Sequence, residues 1–149
     1  MNTNVKLTEK LAFLATLDPV SQSAGSADTT WVKASDFHSI MALIQTGVLG
    51  SSATVDAKLR QATDSSGTSA KDISNRAITQ IVKASGDNKQ AIIECRTDEL
   101  DSANGFNYIG LRVTVGTSSS IVGAALIGGN PRSASCSGLN QAAVVQVLN

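Results

Sequence analysis

The stretch from Tyr108 to Arg132, "YIGLRVTVGTSSSIVGAALIGGNPR", decides how the fold is read. In its first half Ile109, Leu111, Val113 and Val115 fall on one side of an extended chain. Arg112 and Thr114 fall on the other, so one face suits a core and one suits water. A Ser-rich turn follows. From Ser120 to Gly128 the residues are apolar at both parities, as expected of a strand that is central or covered on both sides. "GGNPR" ends it, because Pro131 has no N–H to give to a ladder. Apart from one Arg and the turn hydroxyls, nothing here does chemistry. The segment is built to pack.

Working outward, the same grammar recurs: short runs of Val, Ile, Leu and Thr, punctuated by Gly, Ser, Asn and Asp. Leu11–Leu17 reads as a strand closed by Asp18-Pro19, and "SQSAGSAD" as a flexible loop. Thr29–Ala34 and His38–Val48 follow; the latter is long enough for a helix, but its β-branched residues favour a strand. Thr54–Ala62 is plainly amphipathic, with Val55, Ala57 and Leu59 opposed to Asp56, Lys58 and Arg60. Thr63–Asp72 reads as a polar loop. Ala77–Lys83 and Lys89–Thr97 are two further strands. "DELDSANG" is a compact loop closed by Asn104-Gly105, which supplies a positive-φ step. Asn107–Gly116 and Ser120–Gly128 complete eight strands.

The expected fold is all-β, an antiparallel β-sandwich of the jelly-roll type. Its domain spans residues 11–132, with an N-terminal arm at 1–10 and a C-terminal arm or extra strand at 133–149. The tail segment "AAVVQVL", Ala142 to Leu148, is β-prone and uncharged, and left exposed it is an aggregation hazard. It either adds a strand to its own sheet or pairs with a neighbouring subunit.

Composition narrows the function. Only 16% of the 149 residues are charged, the formal charge is zero, and 32 are Ser or Thr. An ordinary globular chain carries about 25% charge. A surface with few charges has few ions to strip of water when it meets other protein. No basic run offers the phosphate-neutralising stripe that nucleic-acid binding needs. Leu11–Leu17 is too short for the apolar region of a signal peptide and lacks its cleavage pattern. No window approaches the roughly 18 apolar residues of a membrane span.

Catalytic and metal chemistry find little support. A single histidine, His38, excludes a multi-histidine metal site, and Cys95 and Cys136 lack zinc-ligand spacing. Two free thiols, Cys95 in a strand and Cys136 in a loop, are the favoured reading, with a Cys95–Cys136 disulfide as the alternative. Asp36 and His38 share one side of an extended strand, but no G-x-S-x-G elbow accompanies them. No phosphate-binding or calcium-loop pattern is complete. The expectation is a protein without enzymatic activity, cofactor or metal. Trp31 and Phe37 would together offer a sugar-binding platform, although five aromatics in a sandwich serve more often as core or interface anchors.

The runs Trp31–Ile73 ("WVKASDFHSIMALIQTGVLGSSATVDAKLRQATDSSGTSAKDI"), "AITQI", "ELDSANGFNYIGLRVTVG" and "ALIGGNPR" together resemble small proteins of tailed bacteriophages and prophages encoded near the major capsid protein. The likeness spans Leu11 to Arg132. It implies a head decoration (cement) protein, a jelly roll seated on the outer capsid surface as a homodimer or homotrimer. It also implies the major capsid protein as partner, synthesis in the bacterial host cytoplasm, and no nucleic-acid or membrane partner. Alternatives are a tail, neck or fibre-associated component, or a glycan-binding module on the virion. The residues expected to make contacts are Leu11, Phe13, Leu14, Trp31, Phe37, Val144, Val145 and Val147.

Overall fold

The central strand carries the architecture. In the computed structural model, which describes residues 4–133 and 135–148, ten strands run in chain order. They are β1 (Leu11–Gln22), β2 (Gly25–Asp28), β3 (Val32–Lys33), β4 (Phe37–Thr46) and β5 (Thr54–Ala62). Then come β6 (Lys71–Ala77), β7 (Ile81–Val82), β8 (Gln90–Arg96), β9 (Tyr108–Gly116) and β10 (Ser120–Pro131). Met1–Thr3, Ala134 and Asn149, parts of the two expected arms, lie outside the described residues.

The strands form two antiparallel sheets. One is ordered β1-β10-β4-β8; the other is β2-β9-β5-β6, with β3 on β9 and β7 on β5. Setting aside the two-residue strands, the chain crosses between sheets at every step except the β5–β6 return. That path is a jelly roll. The first and last strands are neighbours, with Ala12 opposite Gly128.

Side-chain parity builds the core. From β10 come Val122, Ala124 and Leu126, and from β4 Ile40, Ala42 and Ile44. They meet Val55, Ala57 and Leu59 of β5 and Ile109, Leu111, Val113 and Val115 of β9. Each sheet gives one face, and the two inner faces interdigitate. Phe37 closes one end of the core over Gly128, and Thr97 Oγ1 donates to its carbonyl at 2.8 Å.

Several boundaries differ from the sequence reading, each for a physical reason. The first strand continues past Asp18-Pro19 to Gln22, because a register shift between Leu17 and Val20 leaves those two residues in a bulge where no ladder N–H is required. "SQSAGSAD" is not all loop: Gly25–Asp28 pairs with Thr114 and its neighbours as a polar edge strand. In Thr29–Ala34 only Val32 and Lys33 are strand, while buried Thr29 uses its hydroxyl to accept the Leu111 N–H at 3.0 Å. Lys71–Ala77 is a strand that takes in the last two residues of the expected loop and the unassigned stretch after it, and the strand expected at Ala77–Lys83 shrinks to Ile81–Val82. The last strand runs on to Pro131.

Leu126 is fully buried on the strand that both neighbours share. Leu126→Ala is expected to cost about 2–5 kcal/mol in urea unfolding; a loss under about 1 kcal/mol would contradict its place at the centre of the core.

Candidate assembly surface

A sandwich buries only two of its four sheet faces, so the outer two decide what the molecule can meet. On the first sheet, cross-strand partners lie side by side on the same face. The register therefore writes that outer face row by row. Phe13, Ile127, Met41 and Glu94 form one row; Thr16, Ala125, Leu43 and Ile92 form the next. Gly123, Gln45 and Gln90 make a third, with Ile121 beyond. At these ladder positions the middle two strands bring no charge. Glu94 and Arg96 stand on the β8 edge, and Asp18 stands at the rim in the β1 bulge.

The face is apolar and partly exposed, with Ile92 at 62% and Phe13 at 44%. A shallow groove of about 250 Å³ runs along it, floored by Gly123 and Ala125 and walled by Phe13, Pro19 and Leu43. Pro19 of the bulge folds over Gly123 so closely that a Cβ there would sit 3.1 Å from Pro19 Cα. The glycine is what lets the bulge lie flat.

The second sheet is the opposite. Its outer face carries an ionic ladder. Arg112 grips Asp28 in bidentate fashion, with both N–O distances 2.7 Å. Lys58, directly opposite Arg112, pairs with Asp72 at 2.7 Å, and Arg60 adds a 3.0 Å contact to the same carboxylate. Two cations side by side would repel; an acid on each flank offsets that. The hydrogen bond from Arg112 holds the Asp28 carboxyl below its ordinary range, and the one from Lys58 does the same for Asp72. Gln80 and Asp56 (2.8 Å), with Ser26 and Thr114 (2.8 Å), complete a surface suited to water.

The C-terminal tail leaves from the edge of the apolar face. Phe13 donates its N–H to Asn140 Oδ1 (2.9 Å) and accepts from the Gln141 N–H (2.7 Å), so the two tail residues satisfy the β1 edge at one point. Beyond this clip residues 142–148 form no strand. Val144, Val147 and the largely exposed Leu148 help line an apolar cleft with Leu7, Leu11 and Phe13, while Val145 is 96% exposed.

The expected contact residues therefore scatter. Leu11 and Phe13 lie on the first sheet beside the tail, Leu14 sits at a bulge against the core, and Val144, Val145 and Val147 are in the tail. Phe37 is corrected: at 2% exposure it is a core residue with no surface to offer. Trp31 lies on the other sheet, half-buried, its six-membered ring over Gly110 and its five-membered ring against Gly67. The two aromatics form no common platform. Met41, Leu43, Ile92, Ile121 and Ala125 were missed. Their signal was present in the Ile92-Ile93 doublet and in the two-sided apolarity of Ser120–Gly128.

Asp36 and His38 are both exposed, Asp36 lying 3.9 Å from Lys33. Cys95 and Cys136 are free and buried. Desolvation and the nearby Glu99 push the Cys95 thiol up to about 11, which keeps it protonated. Among the described residues no three His, Cys, Asp or Glu side chains converge as metal ligands, and no helix is long and apolar enough to cross a membrane.

No protein-family model matches the chain, and no curated protein matches its sequence. Among solved structures it is similar to a Triatoma virus chain at 10% identity and TM-score 0.47, covering 90% of this chain and 72% of that one. It is also similar to a chain of naturally occurring empty particles of cowpea mosaic virus at 10% identity and TM-score 0.44, covering 85% and 88%. A third is the CBM22-1 xylan-binding domain of Paenibacillus barcinonensis Xyn10C, at 13% identity and TM-score 0.39, covering 82% and 88%. The functional reading rests instead on the surfaces just described.

The ladder carries a pH signature. A carboxyl whose folded pKa lies below the ordinary 3.8 adds stability that is complete above that value and lost as pH falls through the folded value. Wild-type protein is therefore expected to lose more stability than Asp28→Asn between about pH 5 and about pH 2.5 in urea titrations. Equal losses would mean that the Asp28–Arg112 pair adds nothing net.

Proposed function

We propose that this chain is a virion structural protein, a decoration (cement) protein that binds the outer surface of a tailed-phage head and stabilises contacts between capsomers. The observation that carries the reading is the inequality of the two outer faces. One is a charge ladder content in water. The other is an aliphatic sheet, free of charge across its middle strands, with an uncharged aliphatic tail beside it. A chain that leaves such a face unpartnered is fitted to be covered by protein.

The mechanism follows from surface physics. Few charges must be stripped of water when the apolar face is covered, so its desolvation cost is low. Gly123 and Ala125 allow a partner to approach closely. Repetition over a shell makes individually modest contacts add by multivalency. The tail, clipped at Phe13 and packed beside Leu7 and Leu11, widens the apolar surface that neighbours can cover. In this reading the chain works without catalysis, cofactor or metal, with no nucleic-acid or membrane partner. Its partners are the major capsid protein and copies of itself, and it is made in the host cytoplasm and resides on the virion.

The glycan-binding alternative needs an open aromatic platform, and the seating of Trp31 against Gly110 and Gly67 weighs against it. A tail, neck or fibre-associated role remains the competing structural reading, and one experiment separates the two. Purified protein added to undecorated, genome-filled heads of the parent phage is expected to bind them and raise their resistance to heat. Labelled protein found on tails by negative-stain microscopy, with bare heads, would overturn the head assignment.

A further inference from the structure

We infer that the apolar outer face of the first sheet is an interface between two copies of this chain, packed sheet to sheet as an isologous dimer. The inference deepens the assembly reading above and rests on it for what the pair does: a second copy occupies that face, and contact with a capsid falls to the remaining surfaces of the dimer.

Three observations point to a second copy. The first is the distribution of charge, which has the anatomy of a protein interface: aliphatic Ala125, Leu43, Met41 and Ile127 at the centre, with Glu94, Arg96 and Asp18 at the margin. Such a face meets its own image without burying like charges against each other.

Size comes next. Four strands spaced by about 4.8 Å, with ladder residues from Ile121 to Gly129, give a flat footprint of roughly 500 Å². A stable interface takes about 800 Å² of accessible surface from each partner. The tail, exposed at Val145 and Leu148, and exposed Leu7 extend the face in that direction. Sheet and tail together are of dimer size.

The third observation is self-complementarity. An isologous contact requires both a depression and something to fill it on the same molecule, because residue i meets residue j and j meets i. Here the groove floored by Gly123 and Ala125 lies next to the tail clipped at Phe13 and Thr16. The same chain thus carries a recess, apolar apart from Thr16, Asp18 and Gln45 in its lining, and beside it an uncharged aliphatic segment to enter a partner's.

The test uses purified full-length protein alone, by size-exclusion chromatography with light scattering. At roughly 100 µM, well above a micromolar Kd, the expected mass is twice 15.3 kDa. Ala125→Glu places a carboxylate at the middle of the face without touching the core, and is expected to weaken the dimer by roughly 100-fold or more, so that at about 10 µM, where the wild type is still mostly dimer, the variant is mostly monomer. Ile92→Glu, on the exposed edge strand, serves the same purpose should Ala125→Glu fail to fold, with circular dichroism confirming the native sheet. A monomeric wild type overturns the inference, as does a dimer indifferent to the folded variant. Because no phage particle is involved, the outcome is separable from the head-binding experiment: a monomer that coats heads refutes the dimer alone, and a dimer that ignores heads refutes the capsid reading alone.

Discussion

Burial of one face per sheet is the constraint from which the rest of the molecule follows. Strand β10 lies between β1 and β4 and supplies Val122, Ala124 and Leu126 to the core, which fixes the direction of every other side chain in that sheet. Its remaining residues, Ile121, Gly123, Ala125 and Ile127, are no more polar than the buried set. Strand β9 occupies the corresponding place opposite, yet turns Arg112 and Thr114 outward. Two strands joined by one short turn therefore set up a body with a wet side and a dry side. The low charge content of the chain is not spread evenly; it is withdrawn mainly from one face.

The legible part of the fold was the part where burial and period coincide. Thr54–Ala62 was read with its final boundaries, because Val55, Ala57 and Leu59 alternate with charged residues and both sides of the strand announce themselves. The polar edge strands gave no such signal. Gly25–Asp28 holds a single apolar side chain, Ala27, and its place depends on Asp28 finding Arg112 some 84 residues away. Lys71–Ala77 is likewise held to β5 by Asp72 meeting Lys58 and Arg60. Pairings of that kind depend on the assembled fold and not on local pattern, so a window of sequence cannot contain them.

The surface was legible to a lesser degree. Aromatic and aliphatic residues near the ends were natural choices for contact, and Phe13 and the tail valines do lie beside the apolar face. Phe37 differs because, at the start of β4, its ring packs on Gly128 inside the core, out of phase with Ile40, Ala42 and Ile44 of the same strand. What sequence reading lacked was the alignment of strands. Ala125, Leu43 and Ile92 form a stripe only once three strands are laid side by side.

The seating of the single tryptophan gives the molecule a built-in optical gauge. Trp31 rests on Gly110 and Gly67, on the sheet remote from the dry face. Its emission will track the integrity of that sheet and the docking of the Thr63–Ala70 loop, while staying blind to whatever covers the other side. A shift in fluorescence thus reports loss of structure, and a change in mass without one reports association.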